Sequence, residues 1–103
     1  MSQENNKTLI LVPQAEQDFK AILRFTQEKW GIQQALNYRA FLEKELMALC
    51  LAPQWGISVA AISEGMRRWI AGKHKIFYQE FATEVRVYRI LHQSRQVTYD
   101  VFL

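Results

Sequence analysis

The 103-residue sequence is poor in the residues that interrupt or cross-link a chain: it has one cysteine, two prolines and four glycines. Each scarcity excludes something. Cys50 has no partner for an internal disulfide, and its position inside an apolar helical run gives it a core role in a reducing compartment rather than that of a reactive thiol. The longest apolar run, Leu46 to Ala52, falls far short of the roughly 20 residues a membrane-spanning helix needs. The first residues are polar and form no basic-then-apolar leader, so the expectation is a cytoplasmic protein with no membrane partner. Half of the residues are apolar and 13% are aromatic, which excludes a disordered chain. The length suits one domain over residues 8–103 behind a polar tail of residues 1–7, and excludes a two-domain enzyme.

Acidic residues are scarce in only one part of the chain. Through residue 62, six bases balance six acids; from residue 63 on, Arg67, Arg68, Lys73, Lys75, Arg86, Arg89 and Arg95 face only Glu64, Glu80, Glu84 and Asp100. The whole net charge of +3 therefore sits in the C-terminal part. Such a surface suits an acidic partner or nucleic acid, and equally a solvated charged sheet.

The periodicities give the elements. Thr8 to Val12 is a short aliphatic and β-branched run stopped by Pro13, and reads as a strand. Ala15, Phe19, Ile22, Leu23, Thr26 and Trp30 then share one helical face, and Gly31 ends that helix in a left-handed cap. From Gln33 a second helix buries Ala35, Tyr38, Leu42, Leu46, Leu49 and Cys50 and stops before Pro53. The short link makes the two helices an antiparallel hairpin. Residues 52–65, punctuated by Pro53, Gly56 and Gly65, read as an ordered loop. Strands follow at Met66 to Ala71, Lys73 to Phe81 and Val85 to Gln93, the last two close enough to pair antiparallel. Val97 to Leu103 adds an edge strand or packs as a tail.

The expected fold is α+β: an N-terminal strand and an antiparallel two-helix hairpin packed on one face of a three- to four-stranded antiparallel sheet. The second face is expected to stay open and, being partly apolar, to want a partner. Period-two alternation sends Ile76 and Tyr78 to one side and Lys75 and Phe77 to the other, and groups Ile90 with Arg86 and Tyr88 against Val85, Val87 and Arg89.

Catalytic motifs are absent: no Gly-rich phosphate loop, no Gly-x-Ser-x-Gly, no cysteine pair at metal spacing. His74 and His92 fall in neighbouring strands and can approach each other. Without carboxylates or thiols they make a poor metal site, so no metal and no cofactor is expected, and the rings are read as bonding to backbone or to Tyr78 and Tyr88.

What stands out is an order of short pieces: Gly65-Met66-Arg67-Arg68-Trp69, Gly72-Lys73-His74-Lys75-Ile76-Phe77-Tyr78 and Val87-Tyr88-Arg89-Ile90-Leu91-His92-Gln93. Together with Trp30-Gly31, these resemble the ParE branch of the RelE/ParE toxin superfamily, from Pro13 and Ala15 through to His92. The resemblance implies the toxic half of a bacterial type II toxin–antitoxin module, a non-enzymatic inhibitor of DNA gyrase that blocks replication. It also implies neutralisation by a cognate ParD-like antitoxin in a hetero-oligomer. The family pattern maps onto Arg67, Arg68, His74, Tyr78, Arg89 and His92, and with Arg95 the expected target-binding set is Arg67, Arg68, His74, Arg89, His92 and Arg95. After Gln93 the sequence departs from the pattern, with Ser94-Arg95-Gln96 where relatives carry an Arg followed shortly by an Asp.

The rival within the superfamily is a RelE-like ribosome-dependent messenger RNA endonuclease. Cleavage by the RNA 2′-hydroxyl needs a proton acceptor and cations for the developing phosphorane charge, and Lys73, Lys75, Arg95 and Tyr99 would share those roles. For the antitoxin, a chain that folds on binding would lay a helix on exposed aromatics, for which Phe25, Phe41 and Trp55 are the candidates.

Overall fold

The computed structural model describes residues 7–102; the first six residues of the expected tail, and Leu103, lie outside the described residues. Strand β1 (Thr8–Leu11) leads into helix α1 (Pro13–Trp30) and helix α2 (Ile32–Leu51). A 3₁₀ turn at Pro53–Trp55 precedes β2 (Ile57–Ser58), β3 (Met66–Ala71), β4 (His74–Glu80) and β5 (Glu84–His92), and a second 3₁₀ turn spans Tyr99–Phe102. Pro13 opens α1 where its missing N–H costs nothing. Gly31 separates the helices with φ +96° and ψ 168°, a positive φ that favours glycine but not the left-handed helical cap expected of it.

The sheet has five strands in the order β1-β5-β4-β3-β2 and is mixed. That corrects the expectation of three or four antiparallel strands in two places. β1 runs parallel to β5, Thr8 opposite Glu84 and Leu11 opposite Val87; the two helices between them carry the chain over the sheet, so β1 and β5 can run the same way. The fifth strand is β2, two residues within the expected loop, paired with Arg67 and Arg68 of β3.

The helical hairpin covers one face. Leu42, Leu46, Leu49 and Cys50 of α2 and Ala15 of α1 pack on Ile76, Tyr78, Val85, Val87 and Ile90, all buried. Val87 and Ile90 stand three residues apart on one face because β5 bulges: Tyr78 is opposite Val87 and Phe77 opposite Arg89, leaving Tyr88 as the extra residue. Strict alternation had set Ile90 on the other side, and the bulge is the reason it is not there.

The second face is covered, not open. Met66, Phe77 and Leu91 form a smaller core under Val59 and Ile62 from the loop and Val97, Val101 and Phe102 from the C-terminal segment. Phe102 meets Phe77 edge-on at 5.4 Å between ring centroids. The C-terminal stretch is thus a strap ending in a 3₁₀ turn rather than an edge strand, because three large apolar side chains on that face need cover more than the sheet needs a further edge. No helix among the described residues is long and apolar enough to cross a membrane.

Candidate functional site

Where the helical hairpin overhangs the β3–β4 turn, an open groove of about 500 Å³ is lined by Phe25, Thr26, Lys29 and Trp30 of α1, Gln34, Tyr38 and Phe41 of α2, Gly72, Lys73 and His74 of the turn region, and His92. The helix pattern explains its walls. Phe25 lies off the buried stripe of α1, and Trp30 ends the helix, so they are 60% and 63% exposed. Trp30 was expected in the core stripe; at the last position of α1 it projects into the groove instead. Lys29 sits 6.0 Å from each of these two ring centroids, within range of a cation–π attraction.

The floor is set by Gly72. Its φ is +60°, and a Cβ there would stand 2.9 Å from Cε2 of Phe41 and 3.0 Å from Oη of Tyr38, so glycine satisfies both the turn and the space. Tyr38 stacks on Phe41 at 5.6 Å between centroids. Its hydroxyl accepts the Lys73 N–H at 3.2 Å and reaches Nδ1 of His74 at 2.6 Å. Burial raises the Tyr38 pKa, partly offset by the Lys73 N–H, which keeps it a phenol. Burial, with His92 and Lys73 adding positive charge nearby, lowers His74 to about 4 and holds it neutral near pH 7. His74 and His92 meet edge-on at 5.6 Å. The two histidines do approach each other, but their partners are Tyr38 and Ser94 rather than Tyr78 and Tyr88. Tyr78 lies on the helix side of β4 with its hydroxyl donating to Pro53 O, and Tyr88 donates to Gln79.

The other expected site residues divide. Arg67 and Arg68 are neighbours on β3 and so point to opposite faces. Arg67 donates to Gly56 O at 2.7 Å; Arg68 has an Nε that is buried without a hydrogen-bond partner among the described residues. Tyr78, mapped by resemblance, holds the 3₁₀ turn by donating to Pro53 O and accepting from Gly56 N–H, and burial raises its pKa. Arg89 is an internal residue: it forms a two-pronged pair with Asp18 at 2.7 and 3.0 Å, donates to Val101 O at 2.9 Å, and is 13% exposed. Asp18 also accepts the Ile90 N–H, so Arg89 is committed to tying α1 and the C-terminal strap to β5 and is not free to meet a target.

Lys73 lies in the β3–β4 turn and lines the groove, while Lys75, alternating with His74 along β4, lies on the outer face and donates to Arg95 O at 3.0 Å. Arg95 is exposed just past β5, and Tyr99 is exposed in the C-terminal turn. Phe25 and Phe41 come together in the groove, but Trp55 lies in the 3₁₀ turn beside Trp69, 5.7 Å between centroids, because that turn stands beyond the other end of α2. Trp30, Lys29 and Tyr38 are groove residues that sequence reasoning missed. Exposure at a helix end was legible for Trp30 from the glycine that follows it; nothing local marks the other two.

The family model described as "ParE toxin of type II toxin-antitoxin system, parDE" matches residues 9–97. The chain is 30% identical over 80 residues to Toxin ParE1 of Caulobacter vibrioides, covering 78% of this chain and 82% of that one. It is also 30% identical over 89 residues to Toxin ParE1 of Mycobacterium tuberculosis, covering 85% and 91%. Among solved structures, the fold matches a chain of the chromosomal ParDE TA system from P. aeruginosa with a TM-score of 0.73 at 17% identity, over 85% of this chain and 97% of that chain.

Proposed function

The chain belongs to the ParE toxin family of type II toxin–antitoxin systems, and from that premise we propose that it arrests DNA replication by inhibiting DNA gyrase and is held silent by a cognate ParD-like antitoxin. The observation that carries this reading is the groove, in which exposed aromatics adjoin bases with no carboxylate among its lining residues. Such a surface is suited to capture by a folding antitoxin segment.

Gyrase is met by the basic end of the sheet. His92 and Lys73 line the groove there, Arg95 follows on the same turn with its N–H donating to His92 O, and Lys75 donates to Arg95 O. Arg68, on the same outer face as Lys75, extends this rim. The antitoxin lies along Phe25 and Phe41 and covers His74, His92 and Lys73, so neutralisation is occlusion of part of the target surface. The protein acts by binding rather than catalysis, a reading that its membership of the ParE toxin family supports.

Purified protein added to gyrase with relaxed plasmid and ATP tests the reading. Loss of supercoiling or accumulation of cleaved plasmid is expected. Unimpaired gyrase together with messenger RNA cut on ribosomes overturns it.

A further inference from the structure

The groove closes against two imidazoles whose hydrogens are placed by their neighbours. The Tyr38 hydroxyl accepts the Lys73 N–H, and of the two acceptors within its reach, Nδ1 of His74 at 2.6 Å and Ala71 O at 3.5 Å, it gives its own hydrogen to the nearer. The ring hydrogen of neutral His74 is then on Nε2. At His92, Nδ1 accepts the Ser94 N–H at 3.2 Å, which puts the ring hydrogen on Nε2 there too. Each imidazole keeps one donor that no group among the described residues uses, and Lys73 stands beside them on the turn. Across the groove is Lys29, and no Asp or Glu is among the lining residues.

We propose that the His74–His92–Lys73 end of the groove is a carboxylate subsite, receiving an Asp or Glu side chain of a partner segment whose apolar neighbours lie on Phe25, Trp30 and Phe41. The inference rests on the reading that the groove takes the antitoxin, and names the chemistry by which it does so. The charge of the lining points to an acidic segment. The absence of arginine among the lining residues favours a carboxylate over a phosphate, which draws forked guanidinium donors. Donors fixed before binding cost little to organise, so one carboxylate sets the register of the segment while the aromatics supply the contact area.

The probes are N-acetyl-phenylalanine, which carries one ring and one carboxylate, and N-acetyl-phenylalaninamide, its uncharged twin. Both are titrated into the protein at pH 7.5 and followed by NMR. The carboxylate is expected to bind about tenfold more tightly, as charge-assisted hydrogen bonds do, and to move the His74, His92 and Phe41 signals. His92→Phe keeps a ring at an exposed position but removes its Nε2 donor, and Lys73→Gln removes the charge; the double variant, left with the His74 donor alone, is expected to lose most of the preference for the carboxylate. Equal binding by the parent protein, or an undiminished preference in a folded double variant, overturns the subsite. The probes act whether or not an antitoxin exists, so the two readings fail separately. A protein that prefers the carboxylate but whose growth arrest no neighbouring gene relieves overturns neutralisation and leaves the subsite standing.

Discussion

Arg89 shows how a residue's environment decides between two roles that its sequence leaves open. An arginine in a basic strand is a natural target contact, yet this one is paired with Asp18, and the two side chains are 13% and 10% exposed. Arg89→Met leaves Asp18 without its cation and is expected to destabilise the protein by about 3 kcal/mol, the cost of breaking one side of a largely buried pair, read as a lower urea midpoint. A variant of unchanged stability that no longer inhibits gyrase would return Arg89 to the target surface. His74 makes a pH prediction. Its folded pKa, about 4, lies below its ordinary 6.5 because of burial, His92 and Lys73, so the unfolded chain binds the proton more readily. The stability this gives is complete above pH 6.5 and is lost as pH falls through 4. Thermal melts from pH 7 to 4 are expected to fall less steeply for His74→Gln than for the parent, and equal slopes would remove His74 from the account.

At the scale of elements, the helices and the last three strands were legible because their signals are local: apolar spacing in α1 and α2, Gly31 between them, and alternation in β3 and β4. What was not legible rests on partners distant in the chain. The parallel pairing of β1 with β5 leaves no short-range trace, a two-residue β2 is too short to show a period, and the bulge at Tyr88 defeats alternation without any glycine to announce it. The strap failed for the same reason. Val97, Val101 and Phe102 read as a strand or tail until Phe77 and Leu91 are seen to need cover. Phe102→Ser is expected to lower stability by roughly 1–2 kcal/mol, less than for a fully enclosed phenylalanine because Phe102 is only half-buried. It should also raise binding of an apolar dye. A variant that does neither would mean the strap contributes nothing to the second core.

For the molecule as a whole, the resemblance carried the family and the count of charges the basic C-terminal part, but neither marked the groove. Phe25 and Phe41 were expected to meet an antitoxin, and His74 and His92 a target; folding brings all four to one groove, a convergence that no spacing in the sequence encodes. On the proposed function antitoxin and gyrase compete for adjoining surface, and neutralisation then needs no change of shape in the toxin. Phe25 is well exposed and Phe41 sits on the groove wall, so replacing them alters the antitoxin's footing while the basic rim stays intact. The measurement that tests this most directly is gyrase supercoiling with the parent protein and with Phe25→Ser/Phe41→Ser, each with and without the cognate antitoxin. Both toxins are expected to inhibit alone, and the antitoxin is expected to restore supercoiling against the parent but not against the variant. A folded variant that the antitoxin neutralises as well as the parent, or a parent that leaves gyrase untouched, would contradict that expectation.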